Sequence, residues 1–307
     1  MSLPTARARR PRLLIVGCGD IGLRVLRLVL PRWRVLALTS SPERMALLRE
    51  RGALPLAGNL DQPATLWRLG RLADAVLHLA PPPPHGSTDP RTRALLAALA
   101  RGGRVQRLVY ASTSGVYGDA GGARFDETRA VNPAPARAQR RVDAEAQLRL
   151  FGRRSGVCVS ILRVPGIYGV DRAGGHPRER LLRGTPVLAD ADDVHTNHIQ
   201  ADDLARACVA ALLRGRPGRV YHASDDTELK MAAYFDIAAR LSGLPPPPRV
   251  SRADAAAQLG PMTMSFMSES RRLDNTRLKR ELRLRLRYTT VEQGLGAPAG
   301  DVASAMR

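Results

Sequence analysis

The stretch RLLIVGCGDIG, residues 12–22, decides the fold of this chain. It begins with RLLIVG (12–17), a nearly continuous apolar run that is typical of a strand buried on both faces of a sheet. The residues that follow, DIGLRVLRLVL (20–30), carry apolar side chains at helical spacing. A strand that runs through a glycine-rich turn into a helix predicts an α/β architecture.

The turn itself, GCGDIG (17–22), has the spacing G-x-G-x-x-G between the predicted strand and the predicted helix. In such a turn Gly17 allows the tight bend, Gly19 lets the backbone approach a pyrophosphate, and Gly22 lets the helix pack closely on the strand. The helix N-terminus then offers N–H groups and a partial positive charge to the phosphates. The pattern predicts a dinucleotide site, while the alternative is a glycine turn with a purely structural role.

Strands and helices alternate beyond this first unit. Further strands are predicted at 33–39, 53–58, 74–80, 105–112, 157–163 and 218–224. Helices are predicted at 41–52, 63–70, 89–101, 136–152 and 201–213. This alternation predicts a doubly wound parallel sheet of the Rossmann type, with a smaller and mostly helical C-terminal substrate lobe.

The same pattern predicts where the domains begin and end. Residues 12–163 form the nucleotide-binding core and 164–295 the substrate lobe, while residues 199–224 return to the core. The two ends of the chain, 1–11 and 296–307, are predicted to be flexible, and the first of them is basic.

The end of the second predicted strand indicates which dinucleotide is bound. A site for NAD usually carries an acidic residue there, whereas this chain has Thr39, Ser40 and Ser41, with Arg44 in the next helix. Hydroxyls and an arginine suit the 2′-phosphate of NADP(H), so NADP(H) is favoured over NAD(H). The alternative is that Ser41 only caps the helix and that Arg44 is one of many exposed arginines.

Other predicted cofactor contacts lie in the glycine turn and after other strands. Asn59, followed by Asp61, comes just after the third strand and is a candidate for the adenine pocket, unless both are ordinary loop residues. The predicted set also includes Asp20, Ile21, Leu79, Ala80, Pro81 and Ser112.

Composition restricts the class of protein. The chain has 307 residues and a formal net charge of +20, from 48 basic and 28 acidic residues. Arginine replaces lysine almost everywhere, which indicates GC-rich coding and weakens charge as a sign of nucleic-acid binding. Aromatic residues make up 4% of the chain, and the sequence has no arginine–aromatic cluster of the kind that stacks on bases. A nucleic-acid partner is therefore disfavoured.

The sequence also points away from membranes and secretion. No apolar run is long enough for a membrane-spanning helix, and the N-terminal segment has no signal-peptide cleavage pattern. The cysteines Cys18, Cys158 and Cys208 lie in apolar segments and predict buried thiols without a disulfide or a zinc site. These features predict a cytoplasmic protein.

Four later motifs, taken with the glycine turn, resemble the extended or atypical short-chain dehydrogenase/reductase superfamily, the NAD(P)-dependent epimerase/dehydratase group. They are STSGVYG (112–118), ILRVPGIYG (161–169), IQADDLARA (199–207), and SRRLDNTRLKREL (270–282) followed by LRYTTVEQGL (286–295). The resemblance spans residues 12–295. It implies that Thr113 is the catalytic hydroxyl and that Pro165 approaches the nicotinamide ring. It also places Ser114 and Gly115 where dehydratases have acid/base residues, which weakens a dehydratase assignment.

The chain departs from this family in its catalytic helix. NPAPARAQRRVDAEAQL (132–148) has Arg137 and Arg141 where the family has tyrosine and lysine, with Glu145 at the family's glutamate. An arginine donates hydrogen bonds but does not shuttle a proton near neutral pH. One interpretation is that Arg141 holds a ribose hydroxyl and Arg137 clamps an anionic substrate. The other is an ordinary ion pair between Arg141 and Glu145.

Another residue would then have to move the proton. Tyr117, one turn beyond Thr113, is the main candidate, and Tyr168 is another. Histidines in the region of the substrate lobe are further candidates, namely His176, His195 and His198. Their spacing does not suggest a metal site.

Three functions remain compatible with the sequence. The favoured one is an NADP(H)-dependent oxidoreductase or epimerase-like enzyme acting on a carbonyl or sugar-like small molecule with non-standard acid/base residues. The second is a catalytically silent protein that senses NADP(H), and the least favoured is an RNA-binding module on the same fold. The resemblance also implies a possible homodimer.

Overall fold

A computed structural model describes residues 10–297, so most of the two predicted flexible ends lies outside the described residues. Its centre is a sheet of seven parallel strands with the spatial order β7-β6-β5-β4-β1-β2-β3. The strands are β1 (Arg12–Val16), β2 (Arg34–Thr39), β3 (Leu54–Ala57), β4 (Ala75–His78), β5 (Arg107–Thr113), β6 (Cys158–Val164) and β7 (Arg219–His222). Every pair of neighbouring strands is parallel, which confirms the predicted doubly wound sheet.

The helices cover both faces of this sheet and build the lobe. They are α1 (Asp20–Val29), α2 (Arg44–Glu50), α3 (Pro90–Ala100), α4 (Ala136–Ser155), α5 (Arg178–Leu182), α6 (Ala201–Arg214), α7 (Met231–Ser242), α8 (Arg252–Gln258), α9 (Pro261–Phe266), α10 (Thr276–Leu282) and α11 (Val291–Leu295). Within residues 10–297, none of the helices is long and apolar enough to cross a membrane.

One predicted helix differs. The segment 63–70 forms two short 3-10 turns, Pro63–Leu66 and Leu69–Arg71, rather than one α-helix. Gly70 lies directly against the backbone of Ala98 and Gly102 at the end of α3, where any side chain would collide. This close contact needs a glycine, and glycine disfavours a continuous helix.

Two cores fill the two sides of the sheet. One contains apolar residues of α1, α6 and α10, and the other contains residues of α3 and α4. A third core belongs to the lobe and joins α7 and α11 to the short strands Gly166–Tyr168 and Val187–Leu188. Other two- or three-residue strands are Arg124–Phe125, His195–Thr196, His198–Gln200, Leu229–Lys230, Arg249–Val250 and Arg272–Leu273.

The C-terminal segment packs against the main core. Leu278, Leu282 and Leu284 are buried in the core that also holds α1 and α6. These leucines follow one another at helical and then strand spacing, so one apolar edge reaches the main core. The substrate lobe therefore excludes α10 and the residues just after it.

The site is positioned by the strand order. Between β1 and β4 the connections change direction, because β2 and β3 lie on one side of β1 and β4 to β7 on the other. In open parallel sheets a crevice forms at this point, beyond the carboxyl ends of the strands.

Candidate cofactor and active site

The glycine turn occupies this crevice. Gly17 has φ +85°, and a side chain there would collide with the backbone of Ala80 after β4. Gly19 donates its N–H to the Gly17 carbonyl at 2.9 Å, and nothing lies within 4 Å of the place where its Cβ would be. At Gly22 a Cβ would lie 3.2 Å from Cys18 Sγ, so this glycine allows close packing of α1. Close packing therefore explains why Gly17 and Gly22 are glycines, whereas the space beside Gly19 is open to a ligand.

The turn forms one wall of a cleft of about 480 Å³. Ten residues of the predicted cofactor set line it: Gly17, Gly19, Thr39, Ser40, Ser41, Arg44, Asn59, Leu79, Ala80 and Pro81. Asp61 also lines the cleft, together with Cys18, Leu60 and Arg91, which the sequence did not single out. The ends of β1, β2, β3 and β4 thus contribute to one elongated depression.

Other members of the predicted set do not line the cleft. Ile21 and Gly22 pack α1 against its surroundings, and Pro165 is half-buried beyond the end of β6. Ser112 is buried and its hydroxyl donates a hydrogen bond to Glu145 at 2.7 Å, so its assignment as a cofactor contact stays a prediction. Ser112 and Thr113 are successive residues of β5, so their side chains point to opposite faces of the sheet.

Asp20 stays a predicted cofactor contact, and its carboxylate belongs to an ionic network. It accepts hydrogen bonds from Arg24 and from Arg172, each at 3.1 Å. Arg24 is 4% exposed and also pairs with Asp171 and Asp202, at 2.7 and 2.6 Å. The carboxylate of Asp20 is therefore paired with two arginines beside the N-terminus of α1, where an unpaired negative charge would repel a phosphate.

The end of the cleft beside β2 carries hydroxyls and one arginine. Helix α2 begins at Arg44 with Glu43 as its N-cap residue and no side-chain cap, so Ser41 is not the capping residue of the alternative interpretation. Arg44 is half-buried and donates from Nη2 to the Cys18 carbonyl at 2.8 Å. It therefore reaches across the cleft to the glycine turn and is not simply one more exposed arginine.

The opposite wall carries an ion pair. Arg91, in the first turn of α3, donates to both carboxylate oxygens of Asp61 at 2.8 and 2.6 Å. Hydrogen bonding by Arg91 lowers the pKa of Asp61 below its usual range. Asn59 in turn accepts the N–H of Asp61 at 3.0 Å. In the sequence, only its position after the proline-rich loop 81–84 indicates that Arg91 lies near the cleft.

The arginines of α4 have separate partners. Arg141 donates from Nη1 to the Tyr110 hydroxyl at 2.9 Å and to the Ala111 carbonyl at 2.8 Å. Glu145 pairs with Arg163 and Arg149 instead, so the predicted Arg141–Glu145 ion pair does not form. The buried Glu145–Arg163 ion pair joins α4 to β6. The sequence did not predict this pair.

Arg137 connects α4 to the substrate lobe. Its Nη1 donates to Ser265 Oγ at 2.7 Å, and its guanidinium lies 4.5 Å from the ring centre of Phe266. Both contacts come from α9, which covers this side of α4. A guanidinium has five N–H donors, so the bond to Ser265 leaves capacity for an anionic ligand.

Thr113 ends β5 and is half-buried. Its Oγ1 accepts the N–H of Gly115 at 3.2 Å, which leaves the hydroxyl proton available for another acceptor. Thr113 ends β5, and Pro165 follows the end of the neighbouring β6, at the same edge of the sheet as the cofactor cleft.

Tyr117, the predicted proton donor to substrate, has its hydroxyl bound inside the fold. It is 1% exposed, its hydroxyl lies 2.6 Å from His222 Nε2, and burial raises its pKa to about 12. His222 Nδ1 lies 2.9 Å from the Asp274 carbonyl, which can only accept, so Nδ1 carries the proton and Tyr117 donates to Nε2. The hydroxyl proton of Tyr117 is therefore held inside the fold by His222.

The other predicted proton donors are not poised for this task either. Tyr168 is 1% exposed, and burial raises its pKa above the usual range. His198 is stacked on Tyr234, and burial lowers its pKa to about 3. Burial also lowers the pKa of His176 and of His195, and His176 Nδ1 accepts the N–H of Arg178. Among the described residues no group of histidine, cysteine and carboxylate side chains could hold a metal ion.

The cysteines are free thiols, with Cys18 and Cys208 buried and Cys158 half-buried. Burial raises the pKa of Cys18 to about 11, so this residue lies beside the cleft as a neutral thiol.

Comparison with known proteins adds independent information. A family model described as NAD(P)H-binding matches residues 17–214, from the first glycine of the turn to the last residue of α6. A solved structure of a functionally unknown conserved protein from Silicibacter pomeroyi DSS is 32% identical and has a TM-score of 0.78. That similarity covers 93% of this chain and 96% of the other.

Two curated relatives are enzymes. A 4-hydroxy-2-methyl-3-oxo-4-farnesyl-3,4-dihydroquinoline-1-oxide ketoreductase from Stigmatella aurantiaca is 25% identical over 241 residues, 74% of this chain and 72% of the relative. A dTDP-D-glucose 4,6-dehydratase from Bos taurus is 24% identical over 148 residues, 45% of this chain and only 40% of that enzyme. Solved sugar-nucleotide epimerases and dehydratases share the fold at lower identity than the Silicibacter protein.

Proposed function

Because the chain belongs to the NAD(P)H-binding family, with the fold of NAD(P)-dependent epimerases and dehydratases, we propose that it is an NADP(H)-dependent oxidoreductase or epimerase-like enzyme. Its substrate would be a carbonyl or sugar-like small molecule that also carries an anionic group. The observation that carries the proposal is the cleft that runs from the glycine turn to Arg44, beside the strand end that holds Thr113.

The residues of the cleft fit a dinucleotide. The open space beside Gly19 accepts a pyrophosphate at the N-terminus of α1, where the negative charge of Asp20 is balanced by Arg24 and Arg172. The cofactor, when bound, supplies or accepts the hydride.

The preference for NADP(H) rests on the β2 end of the cleft. Ser40, Ser41 and Arg44 offer two hydroxyls and a guanidinium to a 2′-phosphate, which is the kind of site that suits it. The carboxylate that lines the cleft, Asp61, already accepts hydrogen bonds from Nε and Nη2 of Arg91. Its charge is compensated and does not repel the phosphate.

At the reacting end, we assign binding and orientation to the residues of the chain. Thr113 donates a hydrogen bond to the substrate oxygen, and Arg137 holds the anionic group of the substrate. In this proposal Thr113 relays the proton, because Tyr117, Tyr168 and His198 are buried. Its hydroxyl donates a proton to the substrate oxygen and takes another from water.

The second candidate is an NADP(H) sensor without catalysis. The observation in its favour is that Arg141 donates hydrogen bonds to the Tyr110 hydroxyl and the Ala111 carbonyl. The residue at the position of the family's lysine therefore has a structural role. The two functions separate in one series of measurements. Tight binding of NADPH with hydride transfer to members of a carbonyl panel supports the enzyme, and loss of turnover in Thr113→Val assigns the role of Thr113. Tight binding without transfer to any carbonyl supports the sensor.

Two partner assignments complete the proposal. The small-molecule substrate is the expected ligand of the site, and a homodimer is the expected assembly. Light scattering of the purified protein tests the dimer, because the mass of two chains is the result expected and that of one chain contradicts it.

A further inference from the structure

A basic segment of the C-terminal region lies outside the proposed active site. Residues 282–288 read LRLRLRY, with leucines and arginines in alternation. Leu282 and Leu284 are buried in the core beside α6, whereas Arg283 and Arg285 are exposed. The alternation therefore anchors the segment by its leucines and presents both arginines on the outer surface.

Both ends of this segment are fixed to α6. Arg214, the last residue of α6, donates from Nη1 to the Leu282 carbonyl at 3.0 Å. The buried carboxylate of Asp203, in the first turn of α6, accepts the backbone N–H groups of Arg287 at 2.9 Å and Tyr288 at 2.8 Å. The backbone between these points is held before any ligand arrives, which lowers the entropic cost of binding.

The arginines border a pocket of about 480 Å³. Its lining consists of Asp226, Lys279, Arg283, Leu284, Arg285, Leu286 and Thr289. Lys279 pairs with Asp226, so one positive charge is balanced within the wall. Among the described residues, neither Arg283 nor Arg285 has a side-chain hydrogen bond or ion pair, so two positive charges remain uncompensated. The cofactor cleft and this pocket share no lining residue.

Arg283 also has an unusual backbone. It lies just after α10 with φ 50° and ψ 41°, and it is the only non-glycine residue with positive φ within residues 10–297. Glycine adopts this conformation at helix ends without strain, whereas a side chain is disfavoured. An arginine here lowers the stability of the fold, which is the behaviour expected of a residue kept for its side chain.

We infer that this pocket binds the phosphate group of a small phosphorylated molecule. A phosphate monoester dianion balances the two free guanidinium groups, which recognise it through paired N–H donors, and Thr289 offers a hydroxyl. The pocket has the volume of a small-molecule site. None of its seven lining residues is aromatic, so it lacks the stacking platform that a single-stranded nucleic acid needs. The inference uses residues of its own and does not depend on the proposed function.

The test is calorimetric titration with inorganic phosphate at constant ionic strength, with and without saturating NADPH. The variants are Arg283→Gly and Arg285→Gln, and the matched control is Arg280→Gln, an exposed arginine of α10 outside the pocket. We expect phosphate to bind the wild type and the control alike, also when NADPH is present. Each pocket variant is expected to bind it about tenfold more weakly or worse, as loss of a charge-assisted hydrogen bond requires.

Thermal unfolding of Arg283→Gly separates binding from a structural role. Relief of the positive φ predicts an unchanged or higher Tm together with weaker phosphate binding. The inference is overturned if phosphate shows no saturable binding, if the control weakens as much as the variants, or if NADPH displaces all bound phosphate. Salt-sensitive binding of mixed RNA without any binding of phosphate also overturns it, in favour of a polyanion surface. If NADPH itself does not bind, the proposed function fails, but the phosphate affinities of the variants and the control still test the phosphate site.

Discussion

Replacing Arg44 by alanine tests the cofactor assignment most directly. Arg44 is half-buried at the β2 end of the cleft, and its Nη2 donates to the Cys18 carbonyl in the glycine turn. If it also meets a 2′-phosphate, its loss removes a charge-assisted hydrogen bond, which is worth about 1.5–3 kcal/mol. NADPH affinity should therefore fall roughly 10- to 150-fold, while NADH affinity changes by about twofold or less.

The assay is a fluorescence titration of each nucleotide with wild type, Arg44→Ala and Arg49→Ala. Arg49 is an exposed arginine of the same helix and does not line the cleft, so its removal controls for the general effect of charge. Unchanged NADPH affinity in Arg44→Ala would refute the assignment. An equal loss of NADPH and NADH affinity would refute it as well, because Arg44 would then act only by holding the glycine turn through Cys18.

Three further predictions concern catalysis and stability. Thr113→Val should abolish turnover while NADPH affinity stays within about twofold, since the hydroxyl is replaced by a methyl group of similar shape; retained turnover contradicts its role. Glu145→Gln should destabilise the fold by about 3–5 kcal/mol in urea unfolding, because Arg163 would become a buried charge without its partner; a loss below about 1 kcal/mol would show that the pair matters little. Burial lowers the pKa of His222 to about 4, so the unfolded chain binds a proton that the folded chain rejects. Stability should then fall by roughly 3 kcal/mol for this group as pH drops from about 6.5 to 4. In His222→Asn the fall should be shallower, and an unchanged pH profile would contradict the assignment.

The sheet could be predicted from the sequence because each strand is a local apolar run that ends at a loop. The β1 strand and the turn 17–22 together place the crevice, since glycine spacing states a steric need that the backbone must meet. The helix at 63–70 could not be predicted correctly. Its outcome depends on contact between Gly70 and the end of α3, about thirty residues away in the chain, and local patterns carry no such information.

Side-chain partners were harder still, because they depend on distant parts of the chain. Arg24 lies in α1, yet two of its three carboxylate partners, Asp171 and Asp202, come from segments more than 140 residues later. In the same way, Glu145 had two possible arginines within one helical turn of the chain. It pairs with Arg149 and with Arg163 of β6 rather than with Arg141, and only the packing of α4 on the sheet decides between them.

The hydrogen bonds of Arg137 and Arg141 give these two positions of α4 a structural role. Arg141 donates to the Ala111 carbonyl, two residues before Thr113, and therefore holds the end of β5 that carries the proposed reactive hydroxyl. Both hydrogen bonds of Arg141, to the Tyr110 hydroxyl and to the Ala111 carbonyl, come from Nη1, so the guanidinium anchors β5 through one nitrogen. In the proposed site, Thr113 follows the strand segment that Arg141 holds, and Ser265 of the lobe holds Arg137. We therefore propose that Arg137 and Arg141 orient the reacting end of the site instead of transferring a proton.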